Sequence, residues 1–290
     1  MAMNQFDIFL PGLVGSNPLG ALAAFGLLKV ISLSDQQARL SFMQQDDWVA
    51  VLQSKFTDEA TLVSHLVDYL KERPRDDLEW SPEDVRVPSE VYRNALRSAL
   101  DSNPTLVDSL QSIAADGAVD KSKGLIKPTD FFMVSGQQSF LGILRAVREA
   151  VVKSGEPAWR EALIGPWRYL TPLHSLGWDP AGERLHALRA RAPTKEKPSC
   201  VAAAVWLAFE AMTLFPALSR HGRQQTTGFN RMGFRWPLTS TPINLATLGV
   251  LVASRLQPDA PRKGIAAIYE SERFTFGQGY AVFRPASRLF

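Results

Sequence analysis

Cysteine is nearly absent from this chain of 290 residues, which contains only Cys200. A single cysteine excludes internal disulfide bonds and any metal site built from cysteines alone. Because chains without disulfides are typical of reducing compartments, we predict a cytoplasmic location.

Long apolar segments are also missing. The longest, residues 200–214, contains Glu210 and is shorter than the ~20 residues that a membrane-spanning helix needs. Near the N-terminus, Asp7 and Pro11 interrupt the apolar run that a secretion signal requires. The sequence therefore predicts neither a signal peptide nor a membrane partner.

Catalytic signatures are absent as well. The four histidines, His65, His174, His186 and His221, do not have the spacing of metal ligands on a helix. No Gly-x-Ser-x-Gly elbow occurs, and the sequence shows no set of nucleophile, base and orienting group. We predict no catalytic residue, no metal and no cofactor, and hence no enzyme. A nuclease or nucleotide-binding enzyme with an unrecognised site is the alternative.

A strong net charge is lacking too, since 32 basic residues face 29 acidic ones. The charges are unevenly distributed, however, with acids concentrated in residues 46–120 and bases in residues 184–235. One-sided basic regions are typical of proteins that bind a phosphate backbone, although a solvated face without a ligand gives the same pattern. The basic residues are Arg184, Arg189, Arg191, Lys195, Lys197, Arg220, Arg223, Arg231 and Arg235.

The most informative segment present is the N-terminal one, which predicts a strand at residues 6–10, a glycine-rich turn and a helix from Leu19 to about Leu33. Ser16 or Asn17 suits the N-cap, and Pro18 suits the first helical position. The spacing of the glycines matches neither a triphosphate loop nor a dinucleotide fingerprint. A phosphate contact through the backbone N–H groups of Gly15, Ser16 and Asn17 remains open. The alternative is a tight turn that allows close packing.

Two further segments are candidates for nucleic-acid contact. Residues 220–231 are basic, polar and punctuated by glycine, which predicts a mobile loop that places Arg220, Arg223 and Arg231 on phosphates. Arg235 follows in the next strand. Aromatic and basic residues alternate around Arg168 and Trp178, as they do on surfaces that stack bases. Buried tryptophans that anchor a loop would give the same pattern.

Helical and strand patterns are interspersed without a βαβ rhythm, which predicts an α+β fold of mixed helices and short antiparallel strands. We expect helices at residues 139–152 and 243–256, the latter capped by Thr241 and Pro242, and a buried strand at residues 130–134. The polar connector at residues 116–128 suggests an N-terminal lobe of residues 1–120 and a C-terminal lobe of residues 121–290. A single compact domain is the alternative.

Three segments resemble subunits of CRISPR-associated type I-G systems, formerly I-U. They are residues 15–28 (GSNPLGALAAFGLL), 175–180 (SLGWDP) with Arg184 and residues 187–189 after it, and 202–210 (AAAVWLAFE) leading to residues 214–216. The resemblance implies a non-catalytic subunit or accessory of an RNA-guided surveillance complex. Its implied partners are other effector subunits and guide RNA, target DNA or both. A protein–protein adaptor built on the small-residue first helix is a further alternative.

Overall fold

The computed structural model describes residues 5–82, 84–135, 138–183, 198–254, 256, 264–276 and 280–290. The helices are α1 (Pro18–Ser32), α2 (Glu59–Glu72), α3 (Asp76–Glu79), α4 (Ser89–Ser102), α5 (Pro104–Ile113), α6 (Phe140–Ser154), α7 (Glu156–Leu163), α8 (Ala202–Ala211) and α9 (Leu245–Ala253). The strands are β1 (Phe6–Val14), β2 (Arg39–Gln44), β3 (Trp48–Ser54), β4 (Ala114–Asp120), β5 (Leu125–Pro128), β6 (Ala217–Arg220), β7 (Arg223–Thr226), β8 (Gly233–Thr239), β9 (Ile265–Phe276), β10 (Tyr280–Phe283) and β11 (Ser287–Arg288).

The fold is α+β, as the sequence predicts. An N-terminal antiparallel sheet has the strand order β1-β3-β2. A second antiparallel sheet is built around β9, which pairs with β8, β10 and β11. The Trp236 indole of the second sheet donates to the Gly15 carbonyl at the end of β1, at 2.9 Å. One hydrophobic cluster joins residues of both sheets and of the helices around them.

Helices α1 and α8 pack against each other at the centre of the molecule. Nearly every side chain of both helices is buried, because small residues allow the two backbones to approach closely. A Cβ built on Gly26 of α1 would overlap the Leu207 carbonyl oxygen and lie 2.7 Å from the carbonyl carbon. Glycine is therefore required at this crossing.

A buried ion-pair cluster connects α1, α2 and α8 through Glu210. Lys29 Nζ donates to Glu210 Oε2 at 3.0 Å, the Tyr69 hydroxyl donates to Oε1 at 2.9 Å, and Arg73 Nε also pairs with Oε1. Arg73 Nη2 further reaches Asp77 at 2.6 Å. The cluster satisfies a fully buried carboxylate and fixes the relative positions of the three helices.

Two β-hairpins replace segments that the sequence predicts to be irregular. The predicted polar connector at residues 116–128 is part of the hairpin of β4 and β5. The predicted mobile loop at residues 220–231 begins in the hairpin of β6 and β7. Strand β3 has no counterpart in the sequence-based prediction. The proposed lobe boundary after residue 120 falls within the first of these hairpins, and the two-lobe division stays a prediction.

Two other local predictions are wrong. Residues 130–134 form no strand, although Phe131 to Val134 are buried as expected. Helix α9 begins at Leu245, where the Asn244 side chain accepts a hydrogen bond from Thr247 N. Asn244 is the N-cap, whereas Thr241 and Pro242 lie in the preceding segment. The predicted helix at residues 139–152 is confirmed as α6, with Ser139 as its N-cap.

Candidate nucleic-acid interface

A cleft of about 970 Å³, the basic cleft, opens between the β6–β7 hairpin, residues 227–231 and the end of α9. Leu218, Arg220 and Gln225 line it from the hairpin, and Val252 and Ala253 line it from α9. Arg231 and Arg235 also line it. Of the described residues that line the cleft, only Asp130 is acidic. The cleft therefore has a surplus of positive charge.

The β6–β7 hairpin places two arginines side by side at its tip. The turn consists of His221 and Gly222, whose φ angles of 52° and 70° are those that a two-residue type I′ turn requires. Arg220 and Arg223 are direct partners in the strand register, so both side chains lie on the same exposed face. Like charges at directly opposite positions repel each other.

None of the described residues offers Arg220, Arg223 or Arg231 an acidic partner. Arg231 is exposed on the segment after β7. Asn230 orders this segment, because its side-chain oxygen accepts from Met232 N at 2.7 Å and from Gly233 N at 3.0 Å. The arginines thus extend from an ordered backbone into solvent.

Arg235 has a different role. Its Nε and Nη2 contact Glu270 Oε2 at 2.8 and 2.6 Å, and its Nη1 donates to the Leu256 carbonyl at 2.5 Å. Asn230 Nδ2 donates to the same carboxylate oxygen at 2.8 Å. The charge of Arg235 is therefore paired inside the protein, and this residue builds the cleft wall.

Asp130, the acid in the cleft, is also engaged in internal contacts. Its Oδ2 accepts from Thr226 N at 3.1 Å, and its carbonyl accepts from Arg273 Nε at 2.9 Å. Burial lowers the pKa of the Arg273 guanidinium, an effect that Asp130 opposes and Arg86 reinforces. Asp130 thus stabilises the base of the β6–β7 hairpin and does not pair with the exposed arginines.

The N-terminal turn lies outside the cleft, and three of its donors are already used. Gly15 N donates to the Trp48 carbonyl at 2.7 Å, and Asn17 N donates to the Val14 carbonyl at 3.2 Å. The Ser16 hydroxyl donates to Asp47 at 2.5 Å. These groups are therefore not free to bind a phosphate.

Helix α1 also begins next to a carboxylate of the protein itself. Asn17 Oδ1 caps the helix by accepting from Leu19 N and Gly20 N, which confirms the predicted cap. Asn17 Nδ2 donates to the buried Asp179 at 3.3 Å. Asp179 thus supplies the negative charge that favours a helix N-terminus.

The remaining predicted contacts are also outside the cleft. Trp178 is fully buried, and its indole donates to the Phe131 carbonyl at 2.9 Å, so the predicted role in base stacking is wrong. Arg168 is exposed, and its N–H donates to Glu161 at 2.9 Å. Arg184, His186, Arg189, Arg191, Lys195 and Lys197 lie outside the described residues.

Sequence reasoning missed the cleft residues contributed by α9 and by Leu218. Val252, Ala253 and Ser254 follow the predicted basic segment by more than twenty residues, and no local pattern connects them with it. Residues 217–226 (ALSRHGRQQT) contain two adjacent apolar residues followed by polar residues and glycine, so no alternation of apolar and polar residues indicated the hairpin.

Comparison with known proteins identifies no family, so the functional interpretation rests on the geometry of the site. Neither the protein-family models nor the curated protein sequences include a match to the chain. Within the described part of the chain, no three histidine, cysteine or acidic side chains are grouped so as to hold a metal ion. In the same part, no helix combines the length and apolar character needed to cross a bilayer.

Proposed function

We propose that this protein binds the sugar–phosphate backbone of nucleic acid at the basic cleft. The observation that carries the proposal is the pair formed by Arg220, which lines the cleft, and Arg223, its direct partner at the hairpin tip. Neither arginine has an acidic partner among the described residues. Such an arrangement costs free energy in the unbound protein, and a bound anion offsets it. A guanidinium suits phosphate because its planar fork can donate two parallel hydrogen bonds to the phosphate oxygens.

The wider setting that we propose is an RNA-guided CRISPR surveillance complex in the cytoplasm, with the protein as a non-catalytic subunit or accessory. Support comes from the resemblance of residues 15–28, 175–180 and 202–210 to type I-G subunits. In such complexes base pairing with the guide reads the sequence, and protein subunits hold the backbone. An exposed group of arginines on an ordered hairpin fits that task. Co-purification with the other effector subunits and guide RNA tests this setting.

Backbone binding is tested by fluorescence anisotropy of the purified protein with labelled single-stranded RNA, single-stranded DNA and duplex DNA over a salt series. The variant R220Q/R223Q/R231Q is compared with the wild type. We expect binding that weakens with salt, and a slope of log K against log[salt] that falls by roughly one for each lost phosphate contact.

The matched control is Arg97→Gln, which removes an exposed arginine on α4, outside the cleft. Its salt slope should equal that of the wild type. Absence of binding to all three ligands at low salt would reject an autonomous nucleic-acid role. The control removes one positive charge and the triple variant removes three, so a loss in the control of about one third of the triple variant's loss would show that only overall charge matters.

A further inference from the structure

The β4–β5 hairpin lies beside the β6–β7 hairpin, with both tips at the same end. At the base, the hydroxyls of Thr129 and Thr226 share a hydrogen bond of 3.1 Å, and Asp130 N donates to the Thr226 hydroxyl at 2.8 Å. Further along, Ser219 packs on Gly117, where an added Cβ would lie 3.0 Å from the serine Oγ. On both hairpins, the first contact is at the base and the second is nearer the turn. The turns of the two hairpins are therefore neighbours.

The turn of the β4–β5 hairpin is internally ordered and carries two lysines. Ser122 N and Oγ donate to Asp120 Oδ1 at 2.9 and 2.6 Å, and Gly124 N donates to the Asp120 carbonyl at 2.8 Å. These hydrogen bonds from Ser122 hold the pKa of the Asp120 carboxyl below its ordinary value. The carboxylate therefore serves the turn, and Lys121 and Lys123 are exposed on either side of Ser122.

The two hairpin tips together form a basic surface without internal neutralisation. Lys121 and Lys123 have no acidic partner in the described part of the chain, as is also true of Arg220 and Arg223. Asp116, the next acid along β4, pairs instead with Arg93 at 3.5 Å. The surface that we call the tip path thus has four cations, Lys121, Lys123, Arg220 and Arg223, and continues from the rim of the basic cleft.

We propose that a single strand of nucleic acid leaves the basic cleft along the tip path, with Lys121 and Lys123 holding phosphates beyond those held by Arg220 and Arg223. This inference rests on the proposed function. Cations on two neighbouring turns match a ligand that carries a phosphate on every unit.

A single strand fits the shape and lining of the cleft better than a duplex does. The cleft combines cations at its rim with the exposed apolar side chain of Leu218 and the polar side chain of Gln225. Unstacked bases can enter such a cleft and contact apolar and amide groups. A duplex keeps its bases stacked inside and would meet only the cations at the rim.

The test uses the full chain and two labelled single strands of mixed sequence, one of about 4 and one of about 16 nucleotides, the limits of common single-domain site sizes. The variant is K121Q/K123Q, whose substitutions are exposed and leave the Asp120–Ser122 turn intact. Lys153→Gln, an exposed lysine on α6 outside both hairpins, is the matched control. A blunt-ended duplex is the third ligand.

We expect K121Q/K123Q to lower the salt slope for the long strand by about 1.4, or about 0.7 for each lost contact, and to leave the short strand unaffected. Lys153→Gln should behave as the wild type, and the duplex should bind more weakly than the long strand. If R220Q/R223Q/R231Q weakens binding of the long strand but K121Q/K123Q does not, the proposed binding along the tip path is wrong and the proposed binding at the cleft stands. Equal binding of the duplex would overturn the single-strand assignment, and no binding of any ligand would overturn both proposals.

Discussion

At the scale of single residues, Gly26 determines how closely the two central helices approach. Gly26→Ala places a methyl group against the Leu207 carbonyl, and the resulting overpacking should lower the free energy of unfolding by about 1–3 kcal/mol. Urea denaturation measures the loss. Gly249→Ala on α9 is the matched control, because nothing lies within 4 Å of its added Cβ. Alanine is the better helix former, so this control should gain about 0.4–1 kcal/mol.

Substitutions at Asn17 distinguish a role in capping α1 from a role in binding a ligand. Asn17→Ala removes the cap of α1 and the hydrogen bond to Asp179, and we expect the free energy of unfolding to fall by about 1–2 kcal/mol. Asn17→Ser keeps a capping oxygen and should lose less. Both variants should retain the wild-type salt slope for nucleic acid. A reduced salt slope in a stably folded Asn17→Ala protein would support the phosphate contact that the sequence predicts at this turn.

At the scale of elements, the Glu210 cluster makes three helices depend on one carboxylate. Glu210→Gln leaves Lys29 and Arg73 without their shared partner, which should lower the free energy of unfolding by about 3–5 kcal/mol. Glu90→Gln breaks an exposed pair with Arg93 and should cost less than about 1 kcal/mol. Chemical denaturation at neutral pH compares the two. A similar small loss in both would show that the cluster adds nothing beyond a surface pair.

The same cluster predicts how stability depends on pH. Burial alone would raise the pKa of Glu210, but Arg73 and Lys29 outweigh burial and lower it to about 2 from an ordinary value of 4.5. Because the folded-state pKa is depressed, the contribution is complete above about pH 4.5 and is lost as the pH falls toward 2. The stability difference between wild type and Glu210→Gln should therefore shrink over that interval. A difference that stays constant would contradict this ionic role.

At the scale of the whole molecule, local signals predicted more than long-range ones did. The Asn17 cap and α6 followed from capping residues and helical periodicity within one segment, and the α+β class followed from the order of such segments along the chain. The hairpins were missed because polar residues with glycine and lysine are typical of loops as well as of exposed strands. The cleft was only half predicted, since Arg220, Arg223 and Arg231 lie within one segment of twelve residues, whereas α9 reaches them through tertiary packing. Burial of Trp178 depends on Phe131, which no local pattern connects to it.

The pairing of α1 with α8 has a consequence for the nascent chain. Helix α1 is apolar around its whole circumference, and the helix that covers it is synthesised more than half the chain later. At a synthesis rate of ~5–20 residues per second, α8 is made roughly ten to thirty seconds after α1. During this interval, the apolar surface of α1 is a substrate for chaperones that bind emerging polypeptides. A chain halted before Ala202 would lack the helix that covers α1, so the packing of α1 is completed only after α8 has been synthesised.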